Sequence, residues 1–151
     1  SEFCLPSVVD NLITNKNEKV KVLTTDEKWY GITYKEDLEL IQKAFEAQKR
    51  SYSPYSNFQV GAALLCKDGT IFQGCNIENA AYTPTNCAER TAIFSAIAQG
   101  KNEFTAIAIV GNKAGINQGE GDYCAPCAVC RQVMAEFCDL DTFMLSYLSN
   151  F

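Results

Sequence analysis

Two short cysteine-containing segments limit what this chain can fold into more than any other feature of the sequence. They are Cys-Ala-Glu at 87–89 and Pro-Cys-Ala-Val-Cys at 126–130. Each coincides with signals of a helix start: Glu89 falls in the first turn of one predicted helix, and Pro126 opens another at a first-turn position. Together they offer three thiols and one carboxylate, and we expect the rest of the chain to position this group.

The pair Cys127 and Cys130 is compatible with two chemistries. A two-residue gap lets both thiolates reach one metal ion from the first turn of a helix, but redox pairs have the same spacing. Cys124 forms a second such pair with Cys127, which Pro126 disfavours because it forces the two onto opposite sides of the helix start. The chain contains no histidine, so a zinc site here must be built from sulfur and carboxylate.

A third thiolate, from Cys87, would make the site an open one. Three protein ligands leave zinc one free position, as in catalytic sites, and water there has its pKa lowered toward ~7. Glu89 is well placed to exchange protons with that water; the alternative is a carboxylate that only stabilises the helix dipole. Arg90 would offset the negative charge of three thiolates, against the alternative of a solvated helix charge.

The apolar pattern predicts an α/β fold. It indicates helices over 34–50, 86–99 and 126–137, strands over 58–65, 70–75, 104–110 and 142–148, and a loop over 112–123. The strands are apolar on both faces, which is typical of a sheet covered on both sides. We therefore predict a three-layer α/β/α domain with a mixed sheet of about five strands over 34–151. Residues 1–33 read as a poorly patterned extension with one candidate strand, 20–23.

Composition narrows the class of protein. A length of 151 residues suits one domain. The formal charge of −5 argues against nucleic acid as a partner and favours a small substrate, because nucleic-acid binding depends on a surplus of Lys and Arg. The sequence contains no apolar run of membrane-spanning length and opens without a secretory pattern. Eight cysteines without such a pattern predict a reducing, cytoplasmic location.

Four segments resemble a known family. They are Ser-Pro-Tyr-Ser-Asn-Phe-Gln-Val-Gly-Ala-Ala-Leu at 53–64, Gly-Cys-Asn-Ile-Glu-Asn-Ala at 74–80, Cys-Ala-Glu-Arg-Thr-Ala at 87–92 and Pro-Cys-Ala-Val-Cys-Arg-Gln-Val at 126–133. The sequence from about Tyr34 to Leu148 resembles the small, homotetrameric, zinc-dependent cytidine deaminases. The resemblance implies hydrolytic deamination of cytidine and deoxycytidine in pyrimidine salvage, in a homotetramer with shared active sites.

Residue roles follow from this resemblance. Cys87, Cys127 and Cys130 would bind zinc, Glu89 would move protons from water to the ring and the leaving amine, and Arg90 would stand beside the metal ligands. The implied substrate contacts are Phe58 on the base or sugar, Asn76 and Glu78 on the ribose hydroxyls, the backbone of Ala88 and Ala125 on the pyrimidine edge, and Ala80 and Tyr82 toward a neighbouring subunit's site.

Several of these residues also have purely structural interpretations. Asn76 and Glu78 would suit a turn after the hairpin, Phe58 a core strand position, and Tyr82 a local surface turn. The family usually continues past the last strand to bring an aromatic residue over the substrate, whereas this sequence stops at Phe151, which becomes the candidate for that role. We also expect Glu120 or Asp122 in a lid over the site.

Two other functions remain open at this point. One is a deaminase of a different substrate, such as a nucleoside antibiotic or a base in nucleic acid. The other is a non-catalytic, zinc-stabilised interaction domain, in which a fourth ligand such as Cys124 closes the site.

Overall fold

A computed structural model of the chain describes residues 14–15, 35–116 and 124–149. The chain separates into two compact units, 1–31 and 32–151, and the elements described below all belong to the second. The predicted extension over 1–33 and its candidate strand fall outside the described residues, apart from two helical positions at 14–15. The proposed lid residues Glu120 and Asp122, and Phe151, also lie outside them.

The first helix, α1 (Lys35–Gln48), packs on one face of the sheet. Its buried side chains, Leu40, Ile41, Ala44 and Ala47, recur at helical spacing, so they form one apolar stripe. The opposite side carries charged residues, among them Lys43 and Glu46, whose side chains form an exposed ion pair at 3.2 Å. Burial of the apolar stripe, rather than this surface pair, holds the helix in place.

Four strands form one mixed sheet in the described part of the chain. They are β1 (Phe58–Cys66), β2 (Ile71–Cys75), β3 (Phe104–Lys113) and β4 (Met144–Ser149), in the order β2-β1-β3-β4. Strand β1 is antiparallel to both β2 and β3, whereas β3 is parallel to β4. The prediction of about five strands is therefore one too many for the described residues, since the remaining candidate, 20–23, lies outside them.

Two further helices, α2 (Ala88–Ala98) and α3 (Ala128–Phe137), belong to the apolar core on the opposite face of the sheet. Alternate residues of β3 are buried on opposite faces of the sheet. Ile107 and Ile109 belong to the core beneath α2 and α3. Ala106, Ala108 and Val110 pack with α1. Because alternate residues of one strand are buried on opposite sides, the strand is a continuous apolar run. The predicted three-layer α/β/α arrangement is confirmed.

Two glycines let helices pack directly on strand backbone. A Cβ on Gly61 would lie 2.0 Å from the carbonyl oxygen of Ala44 in α1, and a Cβ on Gly74 would lie 2.2 Å from that of Ala88 in α2. Real Cβ atoms do not approach backbone atoms so closely, so each helix depends on the absence of a side chain beneath it. Gly74 thereby places the start of α2 on the sheet.

None of the helices in the described part of the chain is both long enough and apolar enough to cross a membrane.

Candidate metal centre and substrate site

The three cysteines of the two sequence segments meet in space. The Sγ atoms of Cys87 and Cys127 lie 3.8 Å apart, and those of Cys127 and Cys130 lie 3.5 Å apart. All three sulfurs fall within 4.8 Å of one another, and they form the metal-binding group found among the described residues. A tetrahedral zinc ion with bonds of ~2.3 Å separates its sulfurs by roughly 3.8 Å. The donor set therefore fits zinc in both chemistry and spacing.

These sulfurs lie at the starts of two helices. Cys87 is the N-cap of α2 and Cys127 is the N-cap of α3, both with extended backbone and without a side-chain cap hydrogen bond. Pro126 thus lies one residue before the N-cap of α3. The prediction that it occupies the first turn of the helix is wrong. Asn86, where the predicted helix over 86–99 begins, lies outside α2: its backbone pairs with Ile77, and its side-chain amide donates to Thr91 Oγ1 at 3.1 Å. Cysteine thus occupies the N-cap position of both helices, so the positive ends of two helix dipoles lie at the sulfur group.

The sulfurs differ in their readiness to ionise. A hydrogen bond from Cys130, with further contributions from Arg90 and Cys127, lowers the pKa of Cys87 to about 5. The same interaction and burial raise the pKa of Cys130 above its ordinary value. Arg90 Nη2 lies 3.5 Å from Cys87 Sγ and donates to the carbonyl oxygen of Thr85 at 3.3 Å. The guanidinium is therefore anchored where it can offset thiolate charge.

Glu89 is the buried carboxyl group beside the sulfurs. It follows Ala88 in the first turn of α2, and it is only 4% exposed. Burial raises the pKa of its carboxyl above the ordinary value, and the negative charge of Cys87 acts in the same direction. A carboxyl group with a raised pKa, close to a metal-binding group but outside it, is suited to taking up and releasing a proton.

Cys124 does not join the three-sulfur group in the described structure. It lies against β3, where a Cβ on Gly111 would be 2.5 Å from its Sγ, and it packs beside the core under α2 and α3. Burial raises the pKa of its thiol to about 11. Its position outside the three-sulfur group disfavours the closed four-sulfur alternative.

Asn76 and Glu78 follow β2 and are tied to the beginning of β1. The buried amide of Asn76 accepts from the Val60 N–H at 2.8 Å and donates to the Phe58 carbonyl at 2.8 Å. Glu78 Oε2 accepts from the N–H groups of Tyr55 at 2.9 Å and Ser56 at 3.2 Å. The structure therefore brings Phe58, Asn76 and Glu78 together at the beginning of β1.

An open cavity of about 280 Å³ lies beside this group. Its lining residues are Tyr55, Ser56, Glu78, Asn79, Tyr82 and Thr85. Glu78 Oε1 also accepts a hydrogen bond from the Ser56 hydroxyl, and this bond lowers the pKa of the Glu78 carboxyl below its ordinary value. Glu78 is thus an ionised acceptor at the edge of a space large enough for a sugar.

The remaining predicted residues are placed as follows. Ala88 is buried at the start of α2, and Ala125 is exposed immediately before Pro126. Ala80 and Tyr82 are exposed on the loop between β2 and α2, and Tyr82 is 76% exposed with a left-handed backbone, φ 58°. An exposed aromatic side chain in a strained conformation is unusual for a structural turn.

Two contributors to the site were not singled out from the sequence. Ser56 lies in the family-like segment 53–64 without an assigned role, although serine two residues before a strand is a common source of side-chain to backbone hydrogen bonds. Gly74 carried a usable signal, because an isolated glycine inside a strand pattern often marks a close backbone approach.

Comparisons with known proteins agree with this geometry. Residues 34–146 match the family described as "Cytidine and deoxycytidylate deaminase zinc-binding region". The chain is 50% identical to a cytidine deaminase of Sporosarcina psychrophila over 111 residues, which cover 74% of this chain and 75% of the relative. It is 51% identical to a cytidine deaminase of Halalkalibacterium halodurans over 112 residues, 74% of this chain and 77% of the relative.

Solved structures give the same result. A crystal structure of cytidine deaminase from Burkholderia pseudomallei is similar with a TM-score of 0.59 and 53% identity, over 66% of this chain and 75% of that one. Cytidine deaminase from Mycobacterium tuberculosis is similar with a TM-score of 0.62 and 35% identity, over 72% of this chain and 82% of that one.

Proposed function

Because the chain belongs to the cytidine and deoxycytidylate deaminase zinc-binding family, we propose that it hydrolyses the 4-amino group of free cytidine and deoxycytidine. The products are ammonia and uridine or deoxyuridine. The observation that carries this proposal is the convergence of three sulfurs within 4.8 Å beside the buried Glu89. A site with three protein sulfurs and an adjacent carboxyl is an open, catalytic arrangement.

Cys87, Cys127 and Cys130 are the proposed zinc ligands. Zinc held there supplies a Lewis acid that makes water a nucleophile at neutral pH. The ligands come from two different helices, and Arg90 stands against Cys87 Sγ at 3.5 Å. Arg90 thus compensates part of the thiolate charge, which would otherwise weaken the acidifying effect of the metal.

Glu89 is the proposed proton carrier. Burial raises its pKa, so its carboxylate is a stronger base than an exposed one. It can accept a proton from water and give it to the ring nitrogen, and then take up the proton of the added hydroxyl group and give it to the departing amine. It sits in the first turn of α2, so its position relative to Cys87 is fixed by the helix itself. Burial also keeps bulk water from competing for the proton.

Asn76, Glu78 and Phe58 are the proposed nucleoside contacts. The ionised Glu78 can accept from a sugar hydroxyl. Asn76 already spends one acceptor and one donor position on β1, which leaves one N–H and one oxygen lone pair for the sugar. Phe58 packs beside them at the start of β1, and the backbone of Ala88 and Ala125 would meet the polar edge of the pyrimidine.

A homotetramer with shared sites is the proposed assembly. Several large apolar side chains are exposed on the described surface, including Tyr82 at 76%, Leu140 at 66%, Val129 at 55% and Phe94 at 43%. Single exposed apolar residues are common on protein surfaces, so the support for this assembly is the resemblance to the small, homotetrameric cytidine deaminases. Ala80 and Tyr82 would then reach a neighbouring site. We also propose a cytoplasmic location in pyrimidine salvage, because three free thiols must stay reduced to hold zinc.

The direct test follows the loss of cytidine absorbance with the zinc-loaded protein. We expect turnover by the wild type and a loss of more than ~100-fold in kcat for Glu89→Gln, which keeps the shape but cannot shuttle a proton. Glu89→Ala should retain zinc and Cys87→Ala should lose it. Equal rates for wild type and Glu89→Gln would remove Glu89 from the mechanism, and equal zinc contents in the two alanine variants would contradict the division of roles.

The same sample separates the alternatives. X-ray absorption showing three sulfurs and one oxygen around zinc supports the open site, whereas four sulfurs would indicate a closed interaction domain. A panel of pyrimidine nucleosides, nucleoside antibiotics and single-stranded DNA then identifies the substrate class. Turnover of another substrate without competition by cytidine would favour that substrate instead.

A further inference from the structure

The hydroxyl of Ser56 joins two of the proposed substrate-binding residues. Its oxygen accepts the Phe58 N–H at 3.0 Å, and its proton is donated to Glu78 Oε1. The direction of both bonds is determined, because a backbone N–H can only donate and an ionised carboxylate can only accept. Ser56 therefore fixes the Glu78 carboxylate relative to the strand that carries Phe58.

Backbone geometry holds Ser56 in this bridging place. Asn57, between Ser56 and Phe58, has a left-handed backbone with φ 54°. Its carbonyl accepts from the Ala114 N–H at 2.8 Å, beyond the end of β3. This turn bends the chain so that the Ser56 hydroxyl lies next to the N–H of Phe58, two residues further along the chain, as in other serine-stabilised turns.

Among the described residues, the hydrogen bonds of Glu78 leave it little freedom and one unused acceptor position. A carboxylate can accept at about four positions. The N–H groups of Tyr55 and Ser56 occupy two on Oε2, and the Ser56 hydroxyl occupies one on Oε1. The hydrogen bond from Ser56 therefore sets the direction of the remaining acceptor position on Oε1. Glu78 is one of the residues that line the cavity of about 280 Å³.

We propose that Ser56 is a positioning residue for nucleoside recognition, which aligns Glu78 to accept a hydrogen bond from a sugar hydroxyl of the substrate. This inference rests on the proposed deamination of nucleosides. Ser56 itself does not touch the reacting atoms. Its contribution therefore depends on a sugar hydroxyl being present, and it acts on substrate affinity more than on the chemical step.

The test compares cytidine with 2′,3′-dideoxycytidine, which keeps the 5′-hydroxyl but lacks the 2′- and 3′-hydroxyls of the ribose diol, the groups from which Glu78 is proposed to accept. KM and kcat are measured for the zinc-loaded wild type, Ser56→Ala and Ser56→Thr, with Ser53→Ala as a control in the same loop. For cytidine, Ser56→Ala should raise KM about tenfold, the effect of one hydrogen bond to a charged group, with kcat changed less than ~3-fold. For the dideoxy substrate, the KM values of Ser56→Ala and wild type should agree within about twofold.

The other variants complete the comparison. Ser56→Thr keeps the hydroxyl and should restore wild-type KM, and Ser53→Ala should behave as wild type on both substrates. Ser56→Cys, nearly isosteric but a weaker donor, replaces the alanine variant if that variant melts below the assay temperature, and should give an intermediate KM.

Two results would overturn the inference: an unchanged KM for cytidine in Ser56→Ala, or an equal rise in KM for both substrates, which indicates a general structural effect. A zinc-loaded wild type that deaminates neither substrate would instead overturn the proposed function. That outcome is distinct, because the first two require wild-type turnover.

Discussion

Gly74 of β2 lies directly beneath Ala88, the residue between the proposed metal ligand Cys87 and Glu89. A Cβ on Gly74 would stand 2.2 Å from the Ala88 carbonyl oxygen and 2.5 Å from the Ala92 amide nitrogen. Both are backbone atoms of α2, so relief requires the whole helix start to shift. The lack of a side chain at Gly74 therefore determines where the start of α2, with Cys87 and Glu89, lies on the sheet.

We predict that Gly74→Ala lowers kcat/KM by at least ~10-fold and weakens zinc retention, because displacement of a preorganised site by about 1 Å is costly. Gly61→Ala is the matched control. It creates an equally severe clash, 2.0 Å from the Ala44 carbonyl oxygen, but against α1 on the opposite face. Both variants should lose stability. Zinc content after dialysis against a chelator, measured below both melting temperatures, distinguishes them, and equal zinc loss would refute the specific role of Gly74.

Removal of the Asn76 amide should destabilise the fold as well as impair binding. Asn76→Ala leaves the Val60 N–H and the Phe58 carbonyl without their partners, and unsatisfied buried polar groups cost roughly 1–3 kcal/mol. Urea unfolding should show this loss in the free energy of unfolding. Asn102→Ala, at an exposed site, should stay within about 0.5 kcal/mol of wild type. A similarly small effect at Asn76 would mean that water replaces its two hydrogen bonds.

In the zinc-free protein, the thiol of Cys87 should be more acidic than the buried thiols of Cys124 and Cys130. Its pKa of about 5 lies below the usual 9.0, so the reactive thiolate is present above about pH 5 and is lost as the pH falls through that value. Pulsed alkylation with iodoacetamide from pH 4 to 9, read by peptide mass spectrometry, should give this midpoint.

Cys124 and Arg90 provide the controls for that titration. Cys124, with a pKa of about 11, should stay largely unmodified across the range. Arg90→Ala removes a hydrogen bond and a positive charge from Cys87, so it should move the midpoint upward. A Cys87 midpoint near 9 in the wild type would show that the neighbouring groups do not stabilise its thiolate.

The proposed sharing of sites can be tested by mixing two weak variants. Tyr82→Ala should lower activity by removing an aromatic side chain from a neighbouring subunit's site, and Glu89→Gln should abolish it within its own subunit. If both roles hold, mixed oligomers contain sites with an intact Glu89 and an intact partner tyrosine. Mixing after dissociation and reassembly should therefore restore part of the activity. Absence of any recovery in verified mixed oligomers would place Tyr82 in its own subunit's site or outside the site.

The layers of the fold could be predicted because they follow from local pattern. Apolar runs on both faces of the strands require cover on both sides, and the described structure has α1 on one face and α2 with α3 on the other. Element ends were less predictable. Strand β3 was expected to stop at Val110 but runs to Lys113, since its last residues pair with the start of β1, as in Phe58 with Lys113. Pairing with a neighbouring strand outweighed the turn-forming character of Gly111 and Asn112.

Sequence spacing predicts that Cys127 and Cys130 lie together but leaves metal binding and redox chemistry open. Cys87, at a second predicted helix start, and the family resemblance favoured a metal-binding group. The hydrogen bonds of Asn76, Ser56 and Glu78 could not be predicted from the sequence. They depend on side-chain directions across strands that are distant in sequence, which hydrophobic periodicity does not encode. Sequence resemblance implied that Asn76 meets the sugar, but only the structure shows that its amide also secures the backbone of β1.

The cysteines at the two helix caps have a consequence for engineering this protein. Cys87 and Cys127 make no side-chain cap hydrogen bond, whereas serine or aspartate at such positions typically adds about 1 kcal/mol per helix. A selection for heat resistance of the zinc-free chain would therefore favour replacing them, whereas in the zinc-loaded protein the bound metal would oppose that gain. Directed evolution of this scaffold needs metal content as a second criterion, because the zinc-free chain is more stable with other residues at these two caps.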